Sequence, residues 1–303
     1  MADTGFAGDA RWSLDLGDGL LVQGTERPNS PILARFFEGY DRAFVLPNER
    51  EELEGFAACL ALNPECRHRF GRVHRELVLV VNERESGRLL GGANFLATGM
   101  GARPNHPPVA VALNYVFVES AARGRGLARR ILGAVAMLAN RAVEQTDETL
   151  WPAIFIEQND PLKMSDADYA ADTAHAGIDQ IDRLQIWSRL GARLVDFPYV
   201  QPALSAEQRS DAGLAYAAVD FPAAHMDAAY LHDHLESFFG ISVLKGKDPA
   251  QDGVAEAQLA CLRAMAQAGQ TIDLLALGDT LTRLRALGAR PAGTSLREFT
   301  RAG

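Results

Sequence analysis

The chain reads as an α/β protein that ends in a helical stretch, and three observations carry that reading. At its centre an apolar strand, residues 114–118, feeds a turn, Arg123-Gly-Arg-Gly126, that opens directly into an amphipathic helix from Leu127. Upstream, residues 76–82 and 88–96 are two short apolar runs joined by the polar loop Glu-Arg-Glu-Ser-Gly, the pattern of a hairpin. Beyond about residue 225, stretches of helical periodicity are separated by glycines at 269, 278 and 288.

Taken in order, residues 1–17 read as an N-terminal extension and 19–23 as a first strand. Residues 32–40 and 48–62 follow as helices, with Phe36, Phe37 and Tyr40 spaced to face a core. A Gly/Pro loop, 99–108, precedes the central strand, and its His106 is expected in solvent. Residues 153–159 read as a buried strand. The next segment, 160–182, holds Asp160, Asp166, Asp168, Asp172, Asp179 and Asp182 against one lysine, Lys163. Ser165 starts a helix there with a capping-box pattern, Gly177 stops it, and a second helix begins near Asp179. Aspartates at helix starts suit capping and the helix dipole; beside a cleft they would also draw in a protonated amine. Residues 231–239 form an amphipathic helix with its polar side exposed. His232 and His234, two apart, point to different sides of it and so predict no metal site. Residues 245–249 read as a linker, and 254–265, 271–277 and 281–287 as the final helices.

Composition narrows the function class. The 303 residues carry a net charge of −9, which speaks against a nucleic-acid partner and suits a cationic amine. With 48% apolar residues the chain is able to bury a large core. Cys59, Cys66 and Cys261 form no CxxC pair and their number is odd, so neither a zinc site nor a disulfide framework is expected. The N-terminus lacks the features of a secretory signal and no apolar run approaches a membrane span, so a soluble, cytoplasmic protein without a membrane partner is expected.

The turn at 123–128 has the makings of a pyrophosphate cradle. Glycines let backbone amides converge, and the positive end of the helix adds to them. A Walker A loop is excluded, because Gly126-Leu127-Ala128 stands where Gly-Lys-Ser/Thr is needed. The dinucleotide fingerprint is met only in part, since Arg129 occupies its third glycine position. The residues instead resemble motif A of the GCN5-related N-acetyltransferases (GNAT), Arg/Gln-x-x-Gly-x-Gly/Ala, matched by Arg123, Gly126 and Ala128, with Val118 as the last strand residue before the turn. The hairpin, the central strand and the strand at 153–159 come in that family's order. Residues 183–192 resemble its second motif. The resemblance covers roughly residues 18–222, leaving 223–303 as a C-terminal helical extension.

That resemblance implies a mixed, mostly antiparallel central sheet flanked by helices. It also implies an acetyl-CoA-dependent N-acetyltransferase acting on an amine of a small molecule, without a metal. Its fourth and fifth strands would splay apart to admit the pantetheine arm. Phe117 and Val118 would then offer backbone groups to the arm, and the amides of Arg123, Gly124, Arg125, Gly126, Leu127 and Ala128 would hold the pyrophosphate. Asn159, at the end of the fifth strand, joins this cofactor-binding set. The Arg123 and Arg125 side chains would assist from the rim, whereas Arg129 and Arg130 are read as solvated helix residues.

The acid and base are less determined. Trp187 stands where many members have the tyrosine that protonates the leaving thiolate, and an indole N–H is too weak an acid to replace it. Tyr115, Tyr169, Ser188 and Tyr199 are the alternatives for the acid. Glu157, His175, Glu119 and Asn159 are those for the base, with Glu157 and His175 foremost. Trp187 also keeps open a non-catalytic acyl-CoA-binding module. A longer acyl donor or a peptide amine acceptor fits the same residues, and the C-terminal helices suit a homodimer contact or a cover over the acceptor cleft equally well.

Overall fold

A computed structural model describes residues 10–44, 50–205 and 208–303 of the chain. Its strands are β1 (Trp12–Gly17), β2 (Leu20–Thr25), β3 (His74–Glu83), β4 (Leu89–Gly99), β5 (Val109–Val118), β6 (Ala153–Asn159), β7 (Ala192–Val195), β8 (Leu214–Val219), β9 (His225–Asp227) and β10 (Thr271–Ala276). They join in one mixed sheet in the order β1-β2-β3-β4-β5-β6-β8-β7-β10-β9. Every neighbouring pair is antiparallel except β5 and β6, which run parallel.

The helices are α1 (Pro31–Ala43), α2 (Leu53–Ala61), α3 (Asn63–Cys66), α4 (Leu127–Ala142), α5 (Asp166–Ala176), α6 (Gln180–Arg189), α7 (Ala228–Phe238), α8 (Gly253–Gln267), α9 (Gly278–Ala286) and α10 (Leu296–Arg301). They cover both faces of the sheet. β3 shows why its sequence is an unbroken apolar run: Leu77, Leu79 and Val81 pack toward Ile131, Val135 and Leu138 of α4, while Val78 and Val80 pack toward Phe36 of α1. On the α4 face, α6, α9 and α10 add Leu184, Leu281 and Leu296 to the same core. On the opposite face, α7 and α8 bring Tyr230, Phe238 and Leu259 against Phe155 and Tyr216. Gly39 lets α1 lie close to the sheet, since a Cβ there would fall 2.3 Å from the Phe117 ring.

Local signals settle several boundaries. Ser30 accepts the Ile32 N–H at 3.2 Å with Pro31 at the first helical position, which starts α1. Ser165 accepts the Asp168 N–H at 3.1 Å to start α5, Gly177 ends it at φ 66°, and Asp179 caps α6 through the Asp182 N–H at 2.9 Å. The second expected helix begins only at Leu53; its expected start at Asn48 lies outside the described residues.

Five expectations are corrected. The N-terminal extension contributes a strand, because β1 pairs with β2 across the Asp18-Gly19 turn. Residues 271–277 are not helical: β10 pairs with β7 and β9, and its alternating burial is that of an edge strand, while Gly278 opens α9 instead of stopping a helix. His106 is packed, its Nε2 accepting the Asp227 N–H at 3.0 Å and its ring 5.0 Å from that of Tyr230. His234 is buried inside α7, 2.7 Å from the Tyr216 hydroxyl and stacked on Phe155, so the polar side of that helix is not wholly exposed. Residues 245–249 do not form a free linker either, since Lys245 pairs with Glu51 at 2.7 Å and donates to the Leu204 carbonyl at 2.9 Å. Among the described residues no helix is long and apolar enough to cross a membrane.

Candidate functional site

The parallel ladder between β5 and β6 runs only from Ala110↔Ala153 to Leu113↔Ile156. Beyond it β5 stays on β4 as far as Val118, and β6 stays on β8 as far as Asn159, so the two strands part. A bulge starts the parting. Asn94 faces Tyr115 and Phe95 faces Leu113, which leaves Asn114 as the extra residue of β5. Asn114 and Tyr115 consequently both turn to the α1 face, whereas Leu113 and Val116 pack toward α4. A cavity of about 1160 Å³ fills the opening. It runs from the turn before α4 to the loop after β7.

At the first end lies the glycine turn. Gly124 and Gly126 hold φ of 76° and 69°, and a Cβ built on either would meet nothing within 4 Å. The left-handed backbone is what demands glycine there, and the space above it is open to a ligand. The unpaired N–H groups that begin α4 lie at the same place, giving a site suited to a diphosphate. The Arg123 side chain is held elsewhere: its Nη1 donates to the Ala176 carbonyl at 2.7 Å and its Nε to the Val118 carbonyl at 3.4 Å. It ties the end of α5 to the end of β5. Phe117, Val118, Leu127, Ala128 and Asn159 border the cavity, whereas Arg125 is exposed and does not. Arg129 borders it and donates to the Arg189 carbonyl at 3.2 Å, and Arg130 pairs with Asp18, so neither is merely solvated.

At the second end lies Glu157, the first residue of β6 past the ladder. Tyr199 donates its hydroxyl to Oε1 and Gln201 donates Nε2 to Oε2 at 3.1 Å. Burial pushes the Glu157 carboxyl up to about 7, against the lowering effect of the Tyr199 hydrogen bond and with help from nearby Asp211. Burial and the adjacent Glu157 hold the Tyr199 hydroxyl well above its ordinary range, so Tyr199 keeps its proton and orients the carboxylate. It is stacked on Tyr216, with ring centroids 4.3 Å apart, and does not border the cavity.

The other candidates separate. His175 borders the cavity on the last turn of α5, beside the Arg123 anchor, and Trp187 and Tyr115 border it too. Tyr115 is packed edge-on against Tyr40, Phe44 and Phe56. Tyr169 does not border the cavity; the Arg290 guanidinium lies over its ring at 4.3 Å, on the side of the C-terminal helices. Glu119 borders it but is paired with Arg42 at 2.5 Å. The acidic segment is largely spoken for. Asp166 pairs with Arg290, Asp172 with Arg183, and Asp179 and Asp182 with Arg285, while Asp160 accepts the Leu162 and Leu296 N–H groups and Asp168 the Ser165 hydroxyl.

Sequence alone singles out neither Asp211, which borders the cavity, nor Glu76, which lies behind its Asn94, Asn114 and Ser242 wall. Asp211 reaches Glu157 through an isolated bridge between its own backbone and that of Gln201, a contact with no local sequence signal. Glu76, on β3, is wholly buried; Asn94 and Asn114 donate to its Oε1 at 2.7 and 3.0 Å, and Ser242 to its Oε2 at 2.9 Å. Burial raises it as well, to about 7. A carboxylate within a strand with two buried faces is the available signal. Elsewhere, His232, Asp233 and Glu236 bring ligand atoms within 4.8 Å of one another, but Arg72 and Arg103 pair with Asp233 and Arg72 with Glu236, so the positive charge is already supplied.

No family model matches the chain, and no curated protein does. Solved structures do. The Escherichia coli ribosomal-protein-S18-alanine N-acetyltransferase is 13% identical with a TM-score of 0.35, over 68% of this chain and 96% of that one. A Salmonella typhimurium acetyl transferase that modifies the N-terminal serine of a 50S ribosomal subunit protein is 12% identical with a TM-score of 0.39, over 70% and 100%. A Vibrio cholerae spermidine N-acetyltransferase, a dodecamer, is 10% identical with a TM-score of 0.31, over 66% and 93%. Likenesses this distant say nothing of substrate or assembly. The strands themselves have the arrangement that the sequence resemblance implies: a mostly antiparallel sheet whose central parallel pair parts beside a strand–glycine turn–helix unit.

Proposed function

We propose that the protein is an acetyl-CoA-dependent N-acyltransferase acting on an amine of a small molecule. One observation carries this reading: a single opening between β5 and β6 has an anion cradle at one end and a half-buried, doubly held carboxylate at the other. The residues fit the co-substrate, because the cradle is open above Gly124 and Gly126 and the backbone of residues 114–118 has left its β6 partner. The co-substrate supplies a thioester whose acyl carbon an amine can attack. The amides of Gly124, Gly126, Leu127 and Ala128 hold its diphosphate, the Arg123 N–H being already donated to the Ser120 carbonyl at 3.3 Å, and the freed edge of β5 lines the path of its arm.

Glu157 takes the proton that the ammonium must shed before it is nucleophilic. A carboxylate titrating near 7 is ionised in a useful fraction at neutral pH and still basic enough to accept that proton. Tyr199 and Gln201 hold both of its oxygens in place. Trp187 contributes bulk to the cavity wall and no proton. The departing thiolate is within about 2 pK units of neutrality and leaves without a dedicated acid.

Calorimetric titration with acetyl-CoA, compared between the natural protein and Gly126→Asn, tests the reading. Asparagine tolerates the left-handed backbone while its side chain enters the cradle. Saturable binding that the substitution removes, with thermal unfolding unchanged, is the expected result. No binding by the natural protein would overturn the proposal.

A further inference from the structure

We propose that the acceptor is a monoamine carried on an apolar, aromatic body, and that polyamines and aminosugars are poor acceptors. This rests on the N-acyltransferase reading and names the substrate class of the same site.

Past the parting of β5 and β6 the cavity wall carries a run of apolar side chains, Phe44, Phe56, Tyr115, Leu204, Phe238 and Val243, with Asn94, Asn114, Gln201 and Ser242 between them. The rings of Phe44 and Phe56 stand edge-on to Tyr115, with centroids 5.3 and 5.4 Å away, and form one side of a box. Tyr115 lies close enough to Glu51 and Glu157 to feel both charges, so the aromatic wall adjoins the acidic end. A flat apolar group would leave water there with its amine directed at Glu157.

The charges bordering the cavity allow one cation. Glu51 is paired with Lys245 at 2.7 Å, Glu119 with Arg42 at 2.5 Å and Asp172 with Arg183 at 3.0 Å. Among the described residues Glu157 and Asp211 border the cavity without an ion-pair partner, and they are neighbours at one end of it. A polyamine needs further carboxylates spaced along its length, and among the described residues the wall beyond offers apolar side chains, amides and a hydroxyl but no further unpaired carboxylate. Desolvating its second and third ammonium groups there would be uncompensated. The acidic segment at 160–182 supplies no such row, because Arg285 and Arg290 already engage Asp179, Asp182 and Asp166. An aminosugar fails for a related reason, since the Asn94, Asn114, Gln201 and Ser242 side chains that its hydroxyls would meet already donate to Glu76, Asn94 or Glu157.

The test uses the full chain with saturating acetyl-CoA and measures CoA release with 2-phenylethylamine, spermidine and kanamycin. The expected kcat/KM for 2-phenylethylamine exceeds that for either other amine by at least about tenfold, the discrimination an apolar wall gives for one or two methylene equivalents. Leu204→Glu, which adds a carboxylate to a half-buried loop position of that wall, should narrow the ratio to spermidine. Acetyl-CoA binding accompanied by equal or better use of spermidine or kanamycin, or by no CoA release from 2-phenylethylamine, would overturn the inference and leave the cofactor reading standing. Absence of acetyl-CoA binding would overturn both.

Discussion

Tyr199 donates its hydroxyl hydrogen bond to Glu157 from 42 residues further along the chain, so a loop, and not β6 itself, fixes the orientation of the carboxylate. That bond lowers the pKa of Glu157 against a larger upward push from burial. Tyr199→Phe removes that hydrogen bond alone and keeps the ring stacked on Tyr216. The acid limb of kcat/KM against pH, expected near 7 in the natural protein, should therefore move to higher pH in the variant. A limb that stays in place would show that another group sets it.

Glu157→Gln should lower kcat by about 10²–10⁴-fold, the usual contribution of a general base, and erase the same limb. Acetyl-CoA affinity should be unchanged, because the cradle at Gly124 and Gly126 lies at the opposite end of the cavity. Stopped-flow acyl transfer and calorimetry on the same preparation check the two halves separately. An equal loss of cofactor affinity would mean that Glu157 shapes the cavity instead of acting on the proton.

What could be read from sequence follows the range of the interactions involved. The run from Asn114 to Ala142, the Ser165 and Asp179 caps and the Gly177 stop are decided within a few residues of chain, and structure and sequence agree there. Residues 271–276 are different: Thr-Ile-Asp-Leu-Leu-Ala suits a helix or a strand, and the free edge of β7 decides between them. β1 had a readable signal, since Gly17, Asp18 and Gly19 all hold positive φ between two apolar runs. Glu157 was legible as a strand-end carboxylate, but its partners Tyr199, Gln201 and Asp211 arrive by tertiary folding alone. The same holds for the arginines that take up the acidic segment, because Arg285 and Arg290 stand more than a hundred residues after the aspartates they pair with.

Glu76 makes a stability prediction with a defined sign. Burial raises its pKa from 4.5 to about 7, so the folded state keeps a proton that the unfolded state gives up between those values. The natural protein should lose stability as pH rises through that window. Glu76→Gln keeps a carbonyl oxygen for the Asn94 and Asn114 donors and an amide for Ser242, and it carries no charge at any pH. The variant should match the natural protein near pH 4.5 and exceed it at pH 8, by on the order of 1–3 kcal/mol. Urea unfolding at the two pH values checks this. A difference that does not change with pH would mean that the carboxyl is already ionised in the folded state.

Arg290 joins the C-terminal segment to the helix that borders the cradle. It donates to the Pro161 and Met164 carbonyls at 2.6 and 3.1 Å, pairs with Asp166 and covers the Tyr169 ring. The two carbonyls belong to the turn that leads into α5, and the far end of α5 is where Arg123 reaches Ala176 beside the glycine turn. Arg290→Ala leaves the carbonyls without these donors, and a loss of about 1–3 kcal/mol in unfolding free energy follows. Because α5 is then held at one end only, KM for acetyl-CoA should rise while kcat changes little. Arg290→Lys should recover little of either, since an ammonium cannot span two carbonyls and an aromatic face as a planar guanidinium does. A loss of stability with KM unchanged would show that α5 is positioned by Arg123 and the Asp172–Arg183 pair without help from the C-terminal segment.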